Sequence, residues 1–287
     1  MSSTNKKLSV IILTFNSERN ITACLESLMR ESTLIKEIIV VDNHSKDNTV
    51  KLVKNSKLKT KLIVNARNLG FSKGVNIGVN KSSGNKILIL NPDTIIFPGS
   101  LARLISCQEI TDAGVVGGKA IKVNGDIHNT FVREPGILIG IFDFTNLRKI
   151  FPFDYFHKKH YYLEAEFPLN VKEVDAVSGA FMLIERSVFE KIGLFDENFF
   201  MYLEDVDFCI RAKLKGFKIM FCPSAIIIHE GGASSRNKDR INHQAWSDSR
   251  RYYFKKHSSK IGNMIIQLAF KLDDRITHIW QRIKSRS

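Results

Sequence analysis

The chain has 287 residues, 44% hydrophobic and 10% aromatic, which suits one large globular domain or a domain with an appendage and excludes a disordered polymer. Its formal charge is +14, and +9 of that excess lies between Arg236 and Ser287, where 13 Lys or Arg stand against 4 Asp. A surplus so local points to an acidic surface met by this end of the chain, anionic lipid or nucleic acid, rather than to a general preference for anions.

The N-terminal MSSTNKKLSVIILTFNSERN sets lysines before an apolar run. That run is short, meets Asn16, Glu18 and Arg19 at once and has no small-residue cleavage site, so it reads as a strand and not a leader. Apolar runs rich in β-branched residues recur at 8–13, 37–41, 61–64, 86–90 and 115–121. Between them lie helical spacings, such as Ile21, Leu25 and Leu28 on one face, and SKDNTVKLVKN, which opens on a capping-type serine. Alternation of this kind predicts an α/β fold, a mostly parallel sheet flanked by helices, with ligands beyond the carboxyl ends of the strands. Residues 122–172 break the pattern with turn signals and the aromatic IFPFDYFHKKHYYLEAEF, an excursion from the sheet such as a flap. From about 236 the chain turns basic and helical. Cys24, Cys107, Cys209 and Cys222 fall singly, as free thiols of a reducing compartment do, and give zinc no support. No 18 consecutive residues are apolar, so no segment spans a membrane and a cytoplasmic protein is expected.

Polar residues gather at the predicted strand ends. Thr14 and Asn16 follow the first strand. Asp42 closes the second, either as an acceptor for a pyrimidine ring N–H or as an Asx turn. In NARNLGFSKGVNIGVN, Gly70, Gly74 and Gly78 are four apart, which fits neither G-x-G-x-x-G nor a P-loop. They allow close packing on the sheet, while Arg67 and Asn68 precede the helix where a phosphate or sugar hydroxyl would lie. In LILNPDTII the carboxylate of Asp93 is fixed behind Pro92 between two apolar runs, and Mg2+ or Mn2+ takes one or two such carboxylates plus substrate phosphates. Glu204, Asp205 and Asp207 open a helix, where the dipole stabilises acids or where one acts as a general base. Helical spacing puts Glu204 and Asp207 on one face and points Asp205 elsewhere. His229 ends a strand, either structural or a metal ligand.

VIILTFNSERNITACLESL, IIVVDNHSKD, NLGFSKGVNIG, LILNPDT, the stretch from VSGAFMLIERS to RAKLKGFKI, and HEGGAS occur in one order. In that order they resemble family 2 glycosyltransferases of the glycosyltransferase A fold, and within these the bacterial rhamnosyltransferases, over about residues 7–235. The resemblance implies a catalytic domain at 1–235, with a nucleotide-sugar half to about 121 and an acceptor half at 122–235, then a basic amphipathic tail at 236–287. It implies that Thr14, Asn16, Asp42, Arg67, Asn68, Gly70, Asn91, Gly179 and Ala180 bind a dTDP- or UDP-sugar, with L-rhamnose the first choice. It implies a divalent ion, Mg2+ or Mn2+, on Asp93 with His229 as a further contact, although Asn91 replaces the first acid of the usual D-x-D. Asp205 would be the base beside Glu204 in an inverting displacement onto a glycan or lipid-linked oligosaccharide.

The tail repeats Ile261, Ile265, Leu268, Leu272, Ile276, Ile279 and Ile283 at steps of three or four, with Trp280 near its end. Such a helix lies on anionic lipid, packs on the domain or forms a homo-oligomer interface. Two other readings compete. A sugar-nucleotide nucleotidyltransferase lacks its glycine-rich, lysine-bearing opening here. A nucleic-acid-binding protein leaves the acidic clusters without purpose, so nucleic acid is not an expected partner.

Overall fold

A computed structural model describes residues 8–147, 155–162, 167–229 and 239–284, with side chains from 242 to 277 in the last stretch. The first half alternates as the periodicity predicts: β1 (Leu8–Thr14), α1 (Ile21–Met29), β2 (Ile35–Asp42), α2 (Thr49–Lys54), β3 (Thr60–Val64), α3 (Phe71–Asn80) and β4 (Lys86–Leu90). Then come β5 (Thr94–Ile96), α4 (Ser100–Thr111) and β6 (Val115–Ile121). Strands β3, β2, β1 and β4 run parallel in that order. Their apolar runs are continuous because both faces are covered. Ile11, Ile39, Val41, Ile87 and Ile89 point to one face, with Val75 and Val79 of α3. Val10, Ile12, Ile38, Val40 and Leu88 point to the other, with Leu25 and Leu28 of α1 and Leu104 of α4.

Two departures from a parallel sheet place the site. β11 (Phe181–Glu185) inserts antiparallel between β4 and β6, with Phe181 opposite Leu90. β12 (Ile219–His229) then runs parallel to β6 and antiparallel to the edge strand β5, with His229 opposite Thr94. The expected excursion is real but partly rejoins the sheet. β7 (Ile127–His128) folds back on β6, β9 (Lys172–Glu173) pairs with β12, and β8 (Phe131–Val132) forms a two-stranded ribbon with β10 (Ala176–Val177). Short helices α5 (Ile137–Phe142) and α6 (Tyr155–His160) complete it, and parts of the aromatic 150–167 stretch lie outside the described residues.

After β11 come α7 (Arg186–Ile192) and α8 (Glu204–Leu214), and after β12 come α9 (Asp239–His257) and α10 (Lys260–Lys284). Tyr253 and Phe254 of α9 and Ile266 and Phe270 of α10 share the core cluster of β1 and α3, so both tail helices are seated on the body. The expected boundary at 235, the residues of HEGGAS after His229, and the side chains of Ile279, Trp280 and Ile283 lie outside what is described. None of the described helices is long and apolar enough to cross a membrane.

The serine cap expected for α2 is corrected. The helix starts at Thr49, whose N–H goes to Asp47 at 3.0 Å, while Ser45 bonds Asp42 instead. The glycine trio also divides. Gly74 and Gly78 press on Leu13 and Ile11 of β1, as close packing predicts, whereas Gly70 has a separate role at the cavity.

Candidate active site

The carboxyl ends of β1, β2 and β4 open on a cleft of about 890 Å³, roofed on the far side by the start of α8 and by Trp246 of α9. On the β1–β2 side the wall is a polar lattice. Thr14, fully buried, donates to Asp42 at 2.9 Å, and Asp42 also accepts the N–H of Ser45 at 2.8 Å and its hydroxyl. Asn43 donates to Asn68 at 3.2 Å and to the Gly70 carbonyl at 2.9 Å, and accepts from Asn65 at 2.9 Å. Gly70 sits at φ +83°, and a Cβ there would strike the Phe200 carbonyl, whose oxygen accepts the Phe71 N–H at 2.6 Å. Only glycine tolerates that conformation and that approach together. The 65–71 turn is thereby latched to the loop that leads into α8.

The next wall follows from the two antiparallel pairings. Phe181 opposite Leu90 brings Gly179 and Ala180 beside Asn91, whose N–H meets the Ala180 carbonyl at 3.0 Å. His229 opposite Thr94 brings its Nε2 to 3.2 Å from Asp93 Oδ1, with side chains 10% and 7% exposed. The Nδ1 atoms of His229 and His128 are buried without hydrogen-bond partners, and the two rings stand 5.2 Å apart. Burial, then the neighbouring His229, push the His128 pKa down, which keeps its ring neutral and able to donate a lone pair. A buried carboxylate and two imidazoles whose Nδ1 atoms lack hydrogen-bond partners, at one end of a cleft, fit a divalent cation whose remaining ligands are diphosphate oxygens. Among the described residues no three acid, histidine or cysteine side chains form such a group by themselves.

The third wall is the N-terminus of α8. Tyr202 and Leu203 both have left-handed backbone, at φ +77° and +65°, immediately before Glu204. Consecutive non-glycine residues in that region cost about 1–3 kcal/mol each and gather where a fold holds side chains for function. Asp205 Oδ2 accepts the Gly179 N–H at 3.0 Å and Oδ1 accepts the Val206 N–H at 2.8 Å, while burial pushes its pKa up against these bonds. Glu204 is driven well above the carboxyl range, first by burial and then by Asp205, and its Oε2 has no hydrogen-bond partner. Asp207 behaves differently. Fully buried, it holds Lys256 at 2.7 Å, Arg211 at 2.8 Å and His257 at 2.8 Å; burial alone would raise its pKa, and the hydrogen bonds from His257 and Lys256 with the Arg211 charge depress it instead.

Of the residues expected at the site, Thr14, Asn68, Gly70, Asn91, Asp93, Gly179, Ala180, Glu204, Asp205 and His229 line this one cleft. Asp42 lies one layer behind Thr14, bonded as the Asx-turn reading has it. Asn16 and Arg67 are exposed outside the lining, with Asn16 at φ +50° accepting the Lys46 N–H at 2.8 Å. The face assignment of the acids is corrected: Glu204 joins Asp205 in the cleft and Asp207 turns to α9, because the cleft faces the Asp205 side of the helix, which takes in Glu204 about 100° away and leaves Asp207 about 200° away. Sequence reasoning missed Asn43, His128 and Trp246. Asn43 stood in the DN pair, whereas His128 in a two-residue strand and Trp246 in a basic helix carry no local signal.

A parallel sheet with antiparallel insertions opens at its carboxyl edge on a cleft with the Asp93–His229 pair on one wall and Glu204 and Asp205 on another, the place where α/β folds bind their ligands. The glycosyl transferase family 2 profile matches residues 9–193 and the related family group 2 profile matches 145–259, and the chain belongs to glycosyl transferase family 2. It is 25% identical over 259 residues to the N-acetylglucosaminyl-diphospho-decaprenol L-rhamnosyltransferase of Mycobacterium tuberculosis, covering 86% of this chain and 83% of that protein. It is 29% identical over 226 residues to the low-salt glycan biosynthesis hexosyltransferase Agl10 of Haloferax volcanii, covering 77% of this chain and 66% of that protein. The mannosyltransferase PcManGT of Pyrobaculum calidifontis, solved with GDP-Man and Mn2+, superposes with a TM-score of 0.59 at 16% identity, over 92% of this chain and 68% of that one. The fold is the glycosyltransferase A fold.

Proposed function

We propose that the protein transfers a sugar from a pyrimidine nucleotide-sugar, L-rhamnose from dTDP-rhamnose as first choice, to a hydroxyl of a glycan or lipid-linked glycan in cell-surface polysaccharide synthesis. The observation that carries this is a single cleft with the Asp93–His229 pair on one wall and the doubly hydrogen-bonded Asp205 on another. The named activities of the Mycobacterium relative and of the dTDP-rhamnosyl transferase RfbF of Shigella flexneri, 25% identical over 253 residues, support the sugar and the lipid-linked acceptor.

In this reading Asp93 and His229 would hold Mg2+ or Mn2+, which when bound would supply positive charge beside the diphosphate. Thr14, Asn68, Gly70 and Asn91 bind the nucleotide, with Asp42 behind the base pocket and Asn16 and Arg67 at its mouth. Gly179 and Ala180 leave room for the sugar. Asp205 takes the proton from the acceptor hydroxyl as that oxygen bonds the anomeric carbon. The bond from that carbon to the phosphate oxygen breaks, and the leaving nucleoside diphosphate keeps the electron pair. One displacement inverts the anomeric configuration. Burial raises the basicity of Asp205, and Glu204, protonated beside it, avoids two adjacent charges. The division into a nucleotide half to about 121, an acceptor half to 235 and a basic tail follows these roles. The reaction takes place on the cytoplasmic face of a membrane, without a nucleic-acid partner.

Incubation with a panel of dTDP-, UDP- and GDP-sugars, each with Mg2+, Mn2+ or chelator, followed by mass spectrometry, tests the reading. Transfer from a pyrimidine donor that stops with chelator is expected. Turnover of GDP-sugars alone, or full activity in chelator, would refute it.

A further inference from the structure

The outer face of α10 is an apolar stripe with no cover among the described residues. Ile261, Met264, Ile265, Leu268, Leu272 and Ile276 are between 41% and 69% exposed. The inner face is a proper core contact. Ile266 and Phe270 are fully buried, Ile266 against Gly140 of α5 and Phe270 with its ring 5.8 Å from that of Phe254 of α9. The helix is therefore docked on one side and bare on the other, so the outer residues are not simply a misplaced core.

The charges sort in the same way. Both acids of α10 are consumed by the protein: Asp273 takes Arg250 at 3.0 Å and the Asn146 N–H at 2.7 Å, and Asp274 takes Arg250 at 2.6 Å and Arg251. Lys260, Lys271 and Arg275 are exposed. What reaches solvent from the described side chains of this helix is an apolar stripe edged by positive charge.

We propose that this face docks on an anionic lipid bilayer. Charge favours a bilayer over a second copy of the chain, because Lys260, Lys271 and Arg275 share one flank of the stripe, which an antiparallel copy would set against its own like and anionic headgroups complement. Period agrees. From Ile261 through Ile265, Leu268 and Leu272 to Ile276 the repeat takes four steps over 15 residues, about 3.75 residues each, so the exposed stripe runs nearly straight along the helix. A left-handed coiled coil wants about 3.5. The lipid contact does not depend on the sugar. Its consequence for catalysis rests on the lipid-linked acceptor proposed above: α9, on which α10 sits, also brings Trp246 to the cleft wall. A docked α10 therefore holds that end of the cleft near the bilayer.

The test is co-sedimentation of the full chain with vesicles of phosphatidylcholine and phosphatidylglycerol, two to one, and with phosphatidylcholine alone. Binding to the mixed vesicles, at least about ten-fold stronger than to the neutral ones, is expected. Leu268→Glu with Leu272→Glu should weaken it on the order of a hundred-fold, about ten-fold per leucine. Lys271→Glu with Arg275→Glu should erase the preference for the mixed vesicles. Both variants alter exposed residues and should keep the thermal shift given by dTDP and Mn2+. Absence of wild-type binding, or equal binding by the double leucine variant, overturns the proposal. So does a wild-type dimer in light scattering that the leucine variant splits while neither form binds vesicles. Loss of the dTDP shift in the wild type would instead count against the donor reading alone.

Discussion

Replacing Asp207 and Asp205 in turn by asparagine, two positions apart in one helix, separates structural from chemical use of an acid. Asp207→Asn leaves Lys256, Arg211 and His257 converging on a neutral amide in a fully buried position. Breaking a buried ion pair from one side costs about 3–5 kcal/mol. The lower end applies here, because Lys256 keeps Asp196 at 2.6 Å and Arg211 keeps the Ile192 and Leu194 carbonyls. A loss of roughly 3 kcal/mol lowers the melting temperature by about 5–10 °C in a chain of this size. The effect should be seen at neutral pH and shrink on acidification. A depressed carboxyl pKa contributes stability above the ordinary value of 3.8 that disappears as pH falls through the depressed one. Asp205→Asn should do the reverse. One of its two backbone N–H groups loses an acceptor, at about 1–3 kcal/mol. Relief of a buried charge offsets part of that. Turnover falls on the order of 10²–10⁴-fold with the base gone. The assay is calorimetry plus initial rates on both variants. Near-normal turnover of Asp205→Asn, or an unshifted melting temperature of Asp207→Asn, would refute the assignment.

Because burial raises the Asp205 pKa, the base form is lost as pH falls through a value above the ordinary 3.8, and the acid limb of the rate profile should lie there and vanish in Asp205→Asn. His229→Ala should weaken Mn2+ binding measured calorimetrically in the presence of dTDP by more than about ten-fold. Gly70→Ala should cost at least about 1–2 kcal/mol in urea unfolding for its backbone conformation alone, with a further loss from the clash at Phe200, and should impair donor binding through the displaced turn.

Continuous apolar runs and helical spacings made the parallel half of the sheet readable, and the strand-end rule pointed to the edge where the cleft opens. What lay beyond local pattern was long-range pairing. Nothing near Leu90 says that Phe181 will lie against it antiparallel, yet that pairing carries Gly179 and Ala180 to the cleft. Asp42 shows a different limit: a turn-former and a base acceptor share the same DNHS spelling, and the bonds to Ser45 become visible only in the structure. Helical-wheel reasoning grouped Glu204 with Asp207 because the wheel sets them about 60° apart, but it does not say which side of the helix a cleft will face, and here that side is centred on Asp205.

Thr94 and His229 are 135 positions apart (229 − 94), and β12 is the one strand to which β5 bonds among the described residues. On a ribosome adding about 5–20 residues per second, β5 emerges on the order of ten seconds before its mate. During synthesis the nascent sheet therefore carries an open rim, and its three-residue length leaves little for another chain to grip. A polypeptide halted between Ile121 and Ile219 would carry β1 to β6 with β5 still unpaired.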